Sequence, residues 1–578
     1  MLYRNPAGSG RNGLRRIALV AALIGSWSPA AFAADATYQA GVAQQTLYGE
    51  VDGAETNDGA TLFWRGVPYA AAPVGALRWK APQKPVAWTG PLDATGDASL
   101  CPQMTGGKAV GSEDCLTLDI SRPNTDETGL PVLFYIHGGN NQGGNSGTVD
   151  FEQLAVNADA VVVAVNYRLG LLGFNNLPAL KTGNPQEDSG NYTLLDLARA
   201  LDWIDANIGA FGGNADNITV SGFSAGGRDV MAMLISPLFH DKFQKAISFS
   251  GGMTLADAEE STGLVADAIA PLVVEAGIKP DDETARQWLM STDPAVKDFL
   301  YDLPDDRLAG LMTNAGIRMA VFPHLYNDGV VLPKEGFETD SYNAVPLMMT
   351  TGTSEFSLFA RFDPEFAAAS DADLIDDSDL NARYKFAEGY GSKLYEIFNA
   401  QDSAREMIDR YDAPIYTARF AWGEDPQIVG DTMADLYGSF HGIWIPFAAD
   451  NTSGFAAQFP EAFDNAGARD LAAKFGTYLR NFMWEGDPNG DGLTAWNPWQ
   501  SADSGPTQLI LNADMEKADI RMSDERTPYE DVLKAMDADD TISAEAKRHL
   551  IETVLDGRWF SFGLDRHYDN NNTWVGVE

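Results

Sequence analysis

Two runs of apolar residues stand out along the chain: Pro131–His137 (PVLFYIH) and Ala160–Asn166 (AVVVAVN). Neither alternates with polar positions, which is the pattern of strands buried on both faces of a parallel sheet. Ile218–Ser221, Ala246–Ser250 and Pro346–Gly352 are further strand candidates. Between them the period changes. Leu194, Leu195, Leu197, Leu201, Trp203 and Ile204 recur at helical intervals across Asn191–Ile208, and Gly212-Gly213 stops that helix. Another helix runs through Arg228–Ile235. Strands alternating with helices predict a doubly wound α/β domain around a mostly parallel sheet. From 255 to 345 the chain turns acidic and helical in spacing, and 363–412 is similar. Both stretches read as helical insertions. No linker-like break separates them from the sheet, so residues 34–578 are expected to form one domain.

Composition excludes several classes. With 578 residues, 45% of them hydrophobic, the chain can bury a large core, so disorder is excluded as its main state. Asp and Glu number 82 against 40 Lys and Arg, a net charge of −42. Such a polyanion repels nucleic acid and anionic lipid, and neither is an expected partner. Two cysteines make neither a disulfide scaffold nor a four-thiolate metal site.

The N-terminus reads as a processing segment. Arg4, Arg11, Arg15 and Arg16 precede an apolar run, Ile17–Gly25, too short to span a bilayer. Ala31-Phe32-Ala33 then has the A-x-A form that a signal peptidase cuts. Residues 1–33 are expected to be a signal peptide, cleaved after Ala33, that leaves no membrane anchor. Loss of its four arginines takes the charge from −42 to −46. The exported chain is expected in the periplasm or the medium. There Cys101 and Cys115, the only pair and 14 residues apart, are expected to form a disulfide contributing about 3 kcal/mol.

Ile218–Gly227 reads ITVSGFSAGG and places Gly222-x-Ser224-x-Gly226 between a strand and a helix. A sharp strand-to-helix turn strains the serine backbone, lifts its hydroxyl above the sheet and aims helix N-terminal amides at the same point. A serine needs a base, and this turn implies the chain order serine, acid, histidine. The chain has six histidines, and four lie well after Ser224. His441, in Gly438-Ser-Phe-His-Gly442, sits in a small-residue loop suited to a catalytic base. His324 reads as a structural bend, His549 as part of a charged helix and His567 as part of a polar tail. His240 reads as a surface turn residue and His137 as a strand-end structural residue. Glu355, three residues beyond the strand end at Gly352, is the expected acid. His137-Gly138-Gly139-Asn140 offers backbone amides for an oxyanion hole. Asp487-Pro-Asn489-Gly-Asp491-Gly492 imitates a calcium loop, but its twelfth position is Pro498 rather than glutamate, so no metal or other cofactor is expected.

Together these segments resemble the type B carboxylesterase family, which includes cholinesterases and bacterial esterases. Phe63–Pro82, Ser112–Ile120, Asn166–Phe174 and Phe211–Gly227 carry the resemblance. It implies an α/β-hydrolase fold with Ser224, Glu355 and His441 as catalytic triad. It also implies an oxyanion hole from the amides of Gly139, Asn140 and Ala225, a Cys101–Cys115 disulfide, and Ser250 as a residue orienting the acid. Phe223 stands where most relatives carry glutamate, which argues against a choline-ester specialist. Asn140 replaces a small residue, and the acid loop is two residues shorter than in many relatives. The implied activity is serine-dependent hydrolysis of a small-molecule ester through an acyl-enzyme. An amide- or thioester-cleaving hydrolase and a non-catalytic adhesion protein on the same fold remain open at this level. Trp422, Trp444 and Phe356 are candidate pocket residues, with core packing the equal alternative. The oligomeric state is not legible.

Overall fold

The computed structural model describes residues 37–313, 315–449, 452, 454–501 and 503–570, and the backbone of 574–575. The expected signal peptide lies outside the described residues. Eleven strands form one sheet among the described residues: β1 (Ala54–Glu55), β2 (Thr61–Pro68), β3 (Thr117–Pro123), β4 (Leu130–Ile136), β5 (Val161–Val165), β6 (Gly213–Phe223), β7 (Lys245–Phe249), β8 (Leu347–Gly352), β9 (Ile415–Phe420), β10 (Gln508–Ala513) and β11 (Ala518–Ser523). Their order is β11-β10-β9-β8-β7-β6-β4-β5-β3-β2-β1. The pairs from β5 through β10 are parallel, and those at the two edges are antiparallel. Every residue of β4, β5, β7 and β8 is buried, as central strands covered on both faces are.

Side-chain alternation sorts the helices onto two faces. Leu133, Tyr135, Ser221, Ile247 and Phe249 face α1 (Glu152–Ala158) and two later helices, Trp444–Ala449 and Ala466–Glu485. Val132 and Ser248 point the other way, to the neighbourhood of α2 (Tyr192–Asn207) and α3 (Ala225–Ile235). This is an α/β-hydrolase architecture, with a mostly parallel sheet covered on both faces. The chain leaves β4 toward β5 but leaves β6 toward β7, so the loops after these neighbouring strands diverge. That switch point opens a crevice at the strands' carboxyl ends.

The stretch from 255 to 345 is helical only in its first half, at Ala258–Glu275, Asp282–Leu289, Pro294–Asp302 and Asp305–Ala309. Beyond Ala309 the described residues are mainly turns and extended chain, with one short 3-10 helix at Gly336–Glu338. Pro323 and Pro333, with Gly316, Gly329 and Gly336 at positive φ, break any helix there. The second stretch keeps its helical character, dominated by Ser378–Glu396. Cys101 and Cys115 are bonded and buried.

Candidate active site

Ser224 caps α3 at the end of β6 with φ 57° and ψ −118°, a conformation that L-residues adopt at a cost. Its amide donates to Phe249 O at 2.9 Å, and its carbonyl accepts from Arg228 N at 3.0 Å, so the turn is locked to β7 and to its own helix. The side chain is nearly enclosed, with the residue 5% exposed. The loop after β4 runs against it: a Cβ on Gly138 would come 2.9 Å from Ser224 Cβ, so only glycine fits.

The acid and histidine loops are joined by their own backbones. Ser354 and Phe440 form a parallel bridge, with Ser354 N–H donating to Ser439 O at 3.1 Å. A Cβ on Gly352 would lie 2.2 Å from Ser439 O, so this approach also requires glycine. The residues after each bridge member are Glu355 and His441, and His441 Nδ1 lies 2.5 Å from Glu355 Oε2. A carboxylate oxygen only accepts, so Nδ1 carries a proton, and in the neutral imidazole Nε2 then keeps its lone pair. Nε2 is buried and makes no hydrogen bond among the described residues.

Glu355 is completely buried. Its Oε1 accepts from Gly352 N at 2.6 Å, Ser250 Oγ at 2.6 Å and Thr351 Oγ1 at 3.1 Å. The short acid loop therefore folds back and solvates its own carboxylate. Ser250, at φ 53°, is held by its amide to Thr350 O at 2.8 Å. Asp363, the nearest downstream rival, is engaged elsewhere, 2.7 Å from Arg558 Nη2 and 3.5 Å from Arg318 Nη2.

On the opposite side, Gly139 (φ 111°), Asn140 (φ 57°) and Asn141 (φ 54°) turn through left-handed backbone, which asparagine tolerates better than most residues. The amides of Gly139, Asn140 and Ala225 donate to no other group among the described residues.

Of the two readings open for Trp422, Trp444 and Phe356, core packing is the one observed. Trp444 stacks on Phe249 at 3.8 Å, Trp422 packs on Phe447 and Phe463, and Phe356 packs on Phe359 and Phe560. All three are buried core residues. The rings beside His441 are Phe223 at 4.7 Å, Phe359 at 5.2 Å and Tyr395 at 5.6 Å. Phe359 follows Glu355 by one helical turn and could have been suspected; Tyr395 carries no local signal.

The other histidines have their own settings. His324 is buried and accepts from Arg228 Nη1 at 2.6 Å. Burial and that cation hold it well below the ordinary imidazole range, hence neutral. His137 is buried and stacked on Tyr167 at 4.4 Å, and burial lowers it to about 4. His240 is exposed beside Asp241. His549, on helix Ala544–Leu550, faces Glu365 at 2.9 Å. His567 sits on a helix, Phe562–Tyr568, rather than in an irregular tail, and faces Asp537 at 3.0 Å. Asp487 turns inward on its own loop, accepting from Asn489 N at 3.0 Å.

A sequence profile described as the carboxylesterase family matches residues 41–413, which include Ser224 and Glu355 and stop short of His441. The chain is 29% identical over 436 residues to a para-nitrobenzyl esterase of Bacillus subtilis, covering 71% of this chain and 83% of that protein. It is 40% identical over 227 residues to a fumonisin B1 esterase of Sphingopyxis macrogoltabida, covering 38% of this chain and 42% of that one. A solved Geobacillus stearothermophilus carboxylesterase superposes with a TM-score of 0.64 at 26% identity, covering 86% of this chain and 99% of that one.

Proposed function

Since the chain belongs to the carboxylesterase family, we propose that Ser224, His441 and Glu355 carry its hydrolysis of carboxylic esters. The observation that supports this most is the Glu355–His441 contact, which leaves Nε2 buried and unbonded beside the strained serine turn. His441 Nε2 takes the Ser224 proton as Oγ attacks the ester carbonyl. Glu355 holds the imidazole tautomer and stabilises the imidazolium, and Ser250 and Gly352 hold Glu355. The amides of Gly139, Asn140 and Ala225 receive the oxyanion. His441 then protonates the leaving alcohol, and water repeats the sequence on the acyl-enzyme. Phe223, Phe359 and Tyr395 around the imidazole favour an ester with an apolar or aromatic group.

The test is labelling with a fluorophosphonate followed by peptide mapping. One phosphonylated residue, Ser224, is expected, with loss of hydrolysis in step with labelling. A label elsewhere, or full labelling of Ser224 with undiminished turnover, refutes the assignment.

The catalytic domain is read as residues 34–578, exported after cleavage behind Ala33. The buried Cys101–Cys115 bond is consistent with an oxidising compartment. No helix among the described residues is long and apolar enough to cross a membrane. N-terminal sequencing of protein recovered from periplasm or medium should begin at Ala34.

A further inference from the structure

The oxyanion loop is tied to the nucleophile's helix by one side-chain hydrogen bond. Asn141, directly after Asn140, donates from Nδ2 to Asp229 Oδ1 at 2.9 Å. Asp229 lies on α3, five residues beyond Ser224. Both residues are completely buried. The backbone of Asn141 is held as well, its carbonyl accepting from Gly170 N at 2.7 Å. What remains is unusual. Asp229 Oδ2 and Asn141 Oδ1 are both buried acceptors without a hydrogen bond. An ionised carboxylate there has one donor for two oxygens and no ion-pair partner among the described residues, since Arg228 turns away to His324 and Thr254. Leaving such a group charged is costly.

One proton removes the difficulty. A carboxylic acid and a primary amide are both planar, and each offers a donor beside an acceptor. We propose that Asp229 is a neutral carboxylic acid in the active enzyme, its Oδ2–H donating to Asn141 Oδ1 in a reciprocal acid–amide pair that positions the oxyanion loop. This rests on the assignment of the oxyanion hole above. Burial lifts Asp229 to about 7, and Arg228 and the Asn141 hydrogen bond only partly oppose it. The other titratable groups facing it do not change charge in that range. Tyr167, on the segment after β5, is raised well above its ordinary value by burial. His137, stacked on Tyr167, is lowered to about 4, and Arg228, on the same helix, to about 9. Asp229 is therefore a positioning residue whose proton sets the shape of the hole. Its ionisation removes the Oδ2–H donor and with it one of the two hydrogen bonds that orient the Asn141 amide, leaving only Nδ2–H to Oδ1.

Asp229→Asn keeps a neutral reciprocal pair, because two primary amides also pair head to tail. Asp229→Ala removes it. With a p-nitrophenyl ester as probe, Asp229→Ala is expected to lower kcat by about 10-fold or more with KM little changed, as loss of oxyanion stabilisation does. Asp229→Asn is expected to restore kcat to within about 3-fold of the parent, a loss well short of one whole oxyanion donor. The parent's kcat should fall through a single ionisation near pH 7, and Asp229→Asn should lack that fall. Infrared spectra below that pH should show the C=O stretch of a protonated acid in the parent and not in Asp229→Asn. If Asp229→Ala does not fold, Asn141→Ala takes its place with the same expectation. The proposal is overturned if the alanine variant keeps its kcat, if the asparagine variant is as impaired as alanine, or if the acid band is missing from the parent. Ser224→Ala run alongside separates the failures: inactive Ser224→Ala with unaffected Asp229→Ala defeats only the positioning role. Active Ser224→Ala defeats the assignment of the site itself, while the infrared band still reports whether Asp229 is protonated.

Discussion

Two carboxyl groups lie within the walls of this site, both completely buried and neither facing solvent, yet the protein treats them oppositely. Glu355 meets three donors on Oε1 and an imidazole on Oε2. Asp229 meets one amide on Oδ1 and nothing on Oδ2 among the described residues. Burial is the same for both; the supply of donors is not. Desolvation sets the cost of a buried charge, and local donors decide whether that cost is met by solvating the carboxylate or by adding a proton. The loop around Glu355 is built as a cradle for an anion. The pocket of Asp229 is built for a neutral group.

The comparison can be tested in order of expected effect. Ser224→Ala sets the scale: turnover of a p-nitrophenyl ester should drop by about 10⁵-fold or more, with the circular dichroism unchanged, since in the proposed mechanism one hydroxyl carries the covalent step. Glu355→Gln removes the charge but keeps the shape, and should cost about 10⁴-fold in kcat by mis-setting the imidazole tautomer. Asp363→Asn should leave kcat nearly intact and lower stability instead, because Asp363 serves Arg558 and Arg318. If those two results exchange places, the acid has been misidentified. Ser250→Ala takes away one of Glu355's donors. A hydrogen bond to a charged group is worth about 1.5–3 kcal/mol, so kcat should fall by about 10- to 100-fold. An unchanged kcat would mean that Gly352 N–H and Thr351 hold the carboxylate unaided.

The last test reads stability rather than turnover and concerns Asp229. Its folded pKa, about 7, lies above the ordinary value of 3.8. The folded state therefore binds the extra proton, and the contribution is fully present below about pH 4. It is lost as pH rises to about 7, by at most about 4 kcal/mol. Asp229→Asn should gain on the parent in thermal midpoint across that window and hold a constant lead above it. Asp565, also buried and raised to about 7, has the same sign, so the asparagine variant should remove only part of the parent's pH dependence. A gap that does not widen between pH 4 and 7 would show that Asp229 holds no extra proton in the folded state, and would overturn the contrast with Glu355.

Much of the frame was legible in the chain, because local chemistry specifies it. Unbroken apolar runs over Pro131–His137 and Ala160–Asn166 suited doubly buried strands, and they are β4 and β5 within one residue at each end. The 3.6-residue period of Asn191–Ile208 marked α2. A serine between glycines at a strand-to-helix boundary marked the turn that the backbone then strains, at φ 57°. The strands Thr117–Pro123, Ile415–Phe420, Gln508–Ala513 and Ala518–Ser523 escaped notice. They mix polar with apolar positions, and the partners of Thr117–Pro123 and Ile415–Phe420 lie more than 40 residues away, while Gln508–Ala513 and Ala518–Ser523 pair with each other across a short turn. The turns beyond Ala309 escaped for a related reason: acidic, helix-like composition does not reveal where Gly316 and Pro323 force the chain to bend.

What the chain determined by itself was the set of candidates: one strained serine, a small-residue loop with His441, an acid three residues past a strand end, and a pair of cysteines. What only the tertiary structure decided was which of them meet. The Ser354–Phe440 bridge joins Glu355 to His441 across 86 residues, and Arg558 draws Asp363 away across 195. Tyr395 reaches the imidazole from an inserted helix, and Asn141 reaches Asp229 across 88 residues. Such contacts leave no periodic or turn signature in the chain. They depend on where the sheet order brings loop ends together, and on how many donors each buried group then finds.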